Sequence, residues 1–445
     1  MRKKYVFIGI GIVVAVFLFM FLISKINQSA EKLNNSLIDK DGNEIKYLMF
    51  QIFTGSPSPE IAYVNGKPLH PPLSKAESKA EVEKIINSII GTIATKGTKN
   101  RKLGFIVGPL SFDNTDDQIK NMIGDSFSLS LEKDVAVGFH IDESMMWARR
   151  NDLWQDKNNV EWVDWDGTPS TGLLIDWGSP VKLEPRMCFN SKNIQSEVQG
   201  RANLIGREIK KGIDKLKEQG KENLFAGVIV GWETHMGQDY DDHDKMIGFC
   251  ALVNRGFSKN NQPKDMGNEI ASIVQEFINL WAKGVYDAGI PEDKIYSHTA
   301  FIPRKTFEII KQNNHALSNV PYSFALNFGS SSVDPEASFG KYHRPGFSTY
   351  PLSGTFEQIY DEISKHDNIY WASSEGTNII PGQGTDSSGM SMETYLAMMY
   401  NHGATLVNVY SFGLGGDELK NKNPFRIVTE SKEAIAAYKK FLNAQ

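Results

Sequence analysis

The chain has 445 residues, of which 40 % are hydrophobic and 23 % charged. That is ordinary globular composition and excludes disorder as the main state. The net charge is −5, and no basic stripe is present to collect phosphates, so nucleic acid is excluded as the expected partner.

Residues 5–24 read YVFIGIGIVVAVFLFMFLIS, twenty residues without a charge. At about 1.5 Å per residue such a helix spans about 30 Å, one hydrocarbon core. A signal-peptide apolar region is usually only about 7–15 residues long, so an uncleaved membrane anchor is expected over 1–24, with a cleaved signal as the alternative. Arg2, Lys3 and Lys4 precede the run and Lys25 follows it. The positive-inside bias then leaves the amino terminus in the cytoplasm and the rest of the chain on the extracytoplasmic side. Residues 25–42, polar and rich in Asn, Ser and Lys, read as a linker, and 43–445 as one domain. No second apolar run of membrane-spanning length follows. Cys188 and Cys250 are the two cysteines. Two buried free thiols are expected, with a single bridge as the alternative.

Strand-like apolar runs lie at 45–53, 103–109, 135–141, 224–232 and 295–302, then at 321–328 or 346–351, and at 368–372 and 404–412. Helical patterns separate or follow them at 75–94, 115–132, 194–219, 267–288, 304–315, 354–366, 390–401 and 430–443. In 194–219 the apolar residues Ile194, Val198, Ile205, Ile209, Ile213 and Leu216 recur at three- and four-residue steps. Several strands are apolar almost throughout, which suits parallel strands buried on both faces. Eight strands, each followed by a helix, predict an α/β fold of the (β/α)8 barrel type. An open doubly wound sheet is disfavoured, because its Gly-rich turn after the first strand is missing from Thr54-Gly55-Ser56-Pro57.

In such a barrel, function lies at the carboxyl ends of the strands. Strand four runs into Gly231-Trp232-Glu233 and strand seven into Ser374-Glu375-Gly376. Two carboxyls facing each other across a barrel mouth are what glycoside hydrolysis requires: one protonates the leaving oxygen, the other attacks the anomeric carbon or activates water. These motifs and their placement resemble the large clan of retaining glycoside hydrolases built on (β/α)8 barrels. The resemblance implies Glu233 as acid/base and Glu375 as ionised nucleophile. Much of that clan carries Asn before the acid/base residue, whereas Trp232 stands there in this chain.

The segment after strand three is about fifty residues long, far beyond a usual connection, and reads as a lid or subsite wall. It holds Trp147, Trp154, Trp162, Trp165 and Trp177 among the eight tryptophans of the chain. Aromatic rings stack on the C–H faces of sugars, and Asp, Asn and His pair with hydroxyls. Substrate contacts are therefore expected from His140, Asp142, Trp147, Trp177, Asn190, Trp232, His235, His298 and Trp371. The alternative for the tryptophans is a small core that holds the loop. No motif calls for a cofactor or a metal, although residues 235–244 (HMGQDYDDHD) are rich in ligand types. The sequence reading is thus a membrane-anchored glycosidase acting on a poly- or oligosaccharide. A non-catalytic glycan binder and a metal-dependent barrel hydrolase are its rivals.

Overall fold

Eight parallel strands form the centre of the molecule: β1 (Lys46–Phe53), β2 (Arg101–Leu110), β3 (Ala136–Ile141), β4 (Phe225–Val230), β5 (Ile295–Ser297), β6 (Gly346–Ser348), β7 (Trp371–Gly376) and β8 (Ala404–Val409). The computed structural model describes residues 44–53, 63–64, 67–68, 78–176, 180–314, 319–366, 370–379, 390–410 and 431–444. Each strand pairs with its sequence neighbour, and β8 pairs with β1. The ring closes between β5 and β6, where Ser297 N–H donates to Arg344 O at 3.1 Å and Ser348 N–H to Thr299 O at 2.8 Å. The result is a (β/α)8 barrel.

A helix follows each strand: α1 (Lys79–Ile93), α2 (Asp116–Lys133), α3 (Lys192–Glu218), α4 (Met266–Asp287), α5 (Arg304–Asn313), α6 (Thr355–Ile363), α7 (Met392–Tyr400) and α8 (Lys432–Asn443). Capping boxes start α1 at Ser78 and Glu81 and α2 at Thr115 and Gln118, each satisfying two backbone donors that the helix leaves open. In α3 the buried positions Ile194, Val198, Ala202, Ile205, Ile209 and Leu216 face the barrel, which is the periodicity read from the sequence.

Alternation along the strands sorts the side chains into two layers. Outward residues such as Leu48, Phe50, Val107, Phe139 and Val228 pack beneath the helices. Inward residues are apolar at the amino end and middle: Tyr47, Met49, Ile106, Ile229, Tyr296, Ala372 and Leu406. One inward step further they become polar, at Gln51, His140, His298 and Asn408, all buried. The barrel interior therefore changes from core to chemistry along its own axis.

One open alternative is resolved and two expectations need correction. Residues 321–328 are not strand six: Tyr322–Phe328 is a helix entered at Pro321, and the strand is the Gly346 segment. The run YSFALNF buries Ala325, Leu326, Asn327 and Phe328 together, so its burial carries neither a strand nor a helix period. Strand seven begins at Trp371, close to where the sequence reading ended it. Cys188 and Cys250 form a disulfide rather than two free thiols, their Cα atoms 5.9 Å apart. It ties the loop after β3 to the short helix Phe249–Asn254 in the loop after β4. The anchor and linker at 1–42 lie outside the described residues. Among the described residues no helix is long and apolar enough to cross a membrane.

Candidate active site

The exit from β4 is a tight turn. Gly231 has φ +103°, and a Cβ there would meet Thr234 Oγ1 and lie 3.0 Å from His298 O. Glu233 takes φ +52°, a left-handed conformation unusual for a non-glycine residue. The turn is pinned on several sides. Trp232 N–H donates to Glu143 Oε2 at 2.6 Å, and Thr234 N–H donates to His298 O at 3.1 Å. The Glu233 side chain is buried, and its Oε1 accepts from Ser348 Oγ at 3.0 Å.

Glu375 reaches the same end of the barrel from β7. The pairing of β6 with β7 runs Phe347 to Ser373 and then Ser348 to Glu375, skipping Ser374. Such an irregularity re-aims the side chain that follows it. Thr349 N–H donates to Glu375 O at 2.8 Å, and Tyr350 Oη donates to Glu375 Oε1 at 2.5 Å. Glu375 Oε2 is buried without a hydrogen-bond partner. Burial first, and then the charge of Glu233, push the Glu375 carboxyl well above the usual range, while the Tyr350 hydrogen bond opposes them. The resemblance implies an ionised Glu375, and this environment opposes its ionisation. The charge of Glu233 thus acts directly on Glu375. Tyr410, at the end of β8, lies near both: burial and the charges of Glu375 and Glu233 raise its phenol well above its normal value.

Below the acids lies a buried polar layer. His298 Nε2 is 2.8 Å from Ser348 Oγ, and His140 Nε2 is 3.1 Å from His298 Nδ1 and 2.9 Å from Gly231 O. His140 Nδ1 lies 3.0 Å from the Gln51 side-chain amide. Burial lowers His140 to about 3 and holds His298 well below its ordinary value, so both rings are neutral. Trp232 stacks on His140 with ring centres 4.2 Å apart and meets Phe53 edge-on at 5.6 Å. Phe53 in turn meets Tyr410 edge-on at 5.1 Å.

Of the residues expected to contact substrate, His140, Trp232 and His298 thus join Glu233 in one cluster. Asp142 and His235 belong to a neighbouring cluster around the fully buried Arg186. Asp142 Oδ1 accepts the N–H groups of Ser144, Met145 and Met146 at 2.8–3.2 Å. Burial and the adjacent Glu143 push Asp142 up to about 7. His235 Nδ1 lies 2.6 Å from Glu233 O, and Arg186 Nη2 is 3.3 Å from the same ring. Arg186 also donates to Ser144 Oγ at 2.6 Å, and Ser144 to Glu143 Oε1 at 2.7 Å. Through Glu143 this cluster holds the turn that presents Glu233.

The other expected contacts sit elsewhere. Trp147 is fully buried in the main hydrophobic core. Asn190 stands beside the disulfide, donating to Ala251 O at 2.8 Å. Trp371 is at the amino end of β7, at the far end of the strand from Glu375, with its indole N–H on His402 O at 2.7 Å. Trp177 lies outside the described residues. Trp154 and Trp162 bond within the loop, to Ala148 O and Lys157 O, and Trp165 packs edge-on against Phe249. These rings pack against the main core of the molecule. In the acidic 235–244 loop, Asp239 accepts from Ser170, from Thr171 and from the Asp241 and Asp242 amides, and Asp241 pairs with Lys182. Among the described residues the cluster with metal-ligand spacing is Glu336, Glu362 and His366, outside that loop.

Ser348 and Tyr350 went unread in the sequence. The signal is available: 346–351 is one of the two alternatives for strand six, and both residues stand at its carboxyl end.

No family model matches the chain, and no curated protein matches it. Solved structures do. The catalytic domain of a β-amylase from Paenibacillus polymyxa aligns at 9 % identity over 90 % of this chain and 98 % of its own, with a TM-score of 0.48. A broad-specificity endoglucanase from an uncultured bacterium aligns at 10 % identity over 80 % of this chain and 84 % of its own, with a TM-score of 0.37. A β-galactosidase from the psychrophilic Marinomonas ef1 aligns at 11 % identity over 88 % of this chain and 58 % of its own, with a TM-score of 0.47. At these scores the likeness decides neither fold nor chemistry, which rest on the strand register and on the site itself.

Proposed function

We propose that this chain is a glycoside hydrolase in which Glu233 and Glu375 are the reacting carboxyls. The observation that carries the reading is the pair itself. Two buried carboxyls come from the ends of β4 and β7, are electrostatically coupled, and are each held by a hydroxyl from the segment ending β6. Buried acids with perturbed protonation at the carboxyl end of a barrel mark a reaction centre.

In the retaining version, Glu375 attacks the anomeric carbon as a carboxylate while Glu233 protonates the departing oxygen. Water then displaces the sugar from Glu375, with Glu233 taking its proton. A proton must sit on Glu233 when attack begins. The Tyr350 hydroxyl favours that form, because it stabilises the Glu375 carboxylate. Trp232, Phe53 and Tyr410 form an aromatic rim beside the acids that suits the C–H faces of a neutral sugar. The uncharged run at 5–24 behind Arg2, Lys3 and Lys4 supports anchoring in a membrane with the barrel outside, and a Cys188–Cys250 disulfide fits an oxidising compartment.

The test is hydrolysis by the full-length chain, in detergent, of a panel of neutral polysaccharides and aryl glycosides, alongside Glu233→Gln and Glu375→Gln. The reading predicts turnover of at least one substrate, abolished in both variants while both remain folded. Full activity in either variant would contradict it.

A further inference from the structure

One imidazole grips Glu233 from two directions. His298 Nδ1 accepts the Glu233 backbone N–H at 3.4 Å. On the other side of the ring, His298 Nε2 meets Ser348 Oγ at 2.8 Å, and Ser348 donates to Glu233 Oε1 at 3.0 Å. A hydroxyl has one hydrogen to give. Since Ser348 gives its hydrogen to the carboxyl, it must accept from His298 Nε2–H. That leaves Nδ1 bare, as the Glu233 amide requires. The contacts close a ring: imidazole, hydroxyl, carboxyl and the β4 exit turn. His140 Nε2 lies beneath the ring, 2.9 Å from Gly231 O and 3.1 Å from His298 Nδ1.

We propose that His298 and Ser348 are a positioning pair that holds the Glu233 carboxyl in one orientation. The inference rests on reading Glu233 as the acid/base. Ser348 holds Oε1, which fixes the rotation of the carboxyl that protonates the leaving oxygen. Ser348 and His298 keep their hydrogens throughout, and nothing is relayed through the ring. The arrangement needs a neutral imidazole, because a second hydrogen on Nδ1 would face the Glu233 N–H. Burial keeps His298 neutral. Of the titratable groups here, His140 on β3 lies beside the imidazole, and Glu375 on β7, Tyr350 and Tyr410 act on the Glu233 side of the cluster. A hydroxyl donor to Oε1 favours the carboxylate, so loss of Ser348 raises Glu233.

Two measurements test the pair. In the first, ¹⁵N NMR of full-length protein, with His298→Gln for assignment, is expected to show His298 neutral and protonated on Nε2 from about pH 5 to about pH 9. An Nδ1–H tautomer, or titration within that window, would overturn the ring. In the second, Ser348→Ala and Ser348→Thr are compared on phenyl and 2,4-dinitrophenyl glycosides. Ser348→Ala is expected to lose about tenfold in kcat/KM on the phenyl substrate, whose leaving group needs a proton, and less than about twofold on the dinitrophenyl one. Its alkaline limb should move to higher pH, and Ser348→Thr should restore both properties. Equal losses on the two substrates with an unmoved limb would overturn the positioning role. A wild-type chain that cleaves no glycoside would remove the acid/base reading, and the NMR measurement would still decide the ring.

Discussion

Ser348 and Tyr350 stand two residues apart where β6 ends, and each holds one member of the acid pair: Ser348 Oγ donates to Glu233 Oε1 at 3.0 Å and Tyr350 Oη to Glu375 Oε1 at 2.5 Å. Alternation along an extended segment puts both on the same side. Thr349 between them points the other way, onto Ser373 and Tyr395 at 2.7 and 2.8 Å. One short strand therefore sets the position of two carboxyls that come from β4 and β7.

Tyr350→Phe removes the only hydrogen-bond donor seen on Glu375 Oε1 among the described residues. The expected loss in kcat/KM is about a hundredfold, in line with deletion of a single positioned donor. Without that donor the Glu375 carboxyl rises further, so the acidic limb of the pH–rate profile moves to higher pH. A full pH profile of the variant checks both; an unmoved limb would count against Glu375 as the group that must ionise.

Glu375→Gln should make the protein more stable, and only at the upper end of the pH range. Glu375 is raised in the folded state by burial and by Glu233. Such a group favours folding below its unfolded value and disfavours it as pH climbs through the folded value. The neutral amide lacks that penalty. Thermal melts at about pH 8 should show a gain of about 1 kcal/mol over wild type, typical of substitutions that relieve functional strain, shrinking towards zero at about pH 4.

Trp371→Phe separates packing from chemistry. The indole is fully buried at the amino end of β7 and bonds His402 O. Its replacement should cost about 1–3 kcal/mol through the lost volume and hydrogen bond, with kcat/KM within about twofold of wild type. A folded variant with a tenfold loss of activity would mean that this end of the barrel reaches the site.

Removing the Cys188–Cys250 bridge by a double Ser substitution should destabilise the protein by about 4 kcal/mol if loop entropy dominates, given a sequence separation of 62. Denaturant unfolding of oxidised protein against the variant measures it. A loss below about 1 kcal/mol would show that the buried Arg186 cluster and the loop tryptophans hold the two loops without help.

The barrel was legible because its strands are apolar on both faces and its helices keep a clear three- and four-residue period. Glu233 and Glu375 were legible because residues at strand ends face the mouth. What escaped notice depends on contacts between distant segments. β6 is only three residues long, too short to announce itself against the rival run at 321–328, and with it went Ser348 and Tyr350. Trp371 was misplaced because the start of a strand and its end look alike without register. Asn190 and Trp147 carry residue types that suit sugars, but the chain spends Asn190 beside the disulfide and Trp147 in the main hydrophobic core. A cysteine pair so far apart in sequence cannot be matched without knowing that two loops meet.

In the proposed mechanism Glu375 is the carboxylate that attacks the sugar. The most direct measurement of this role is intact-protein and peptide mass spectrometry after incubation with 2,4-dinitrophenyl 2-deoxy-2-fluoro glycosides of the gluco, manno and galacto series. One series is predicted to add a single fluorosugar to the peptide containing Glu375, with no adduct on Glu375→Gln. Inverted products from the parent glycosides with no adduct from any series, or an adduct on another residue, would contradict it.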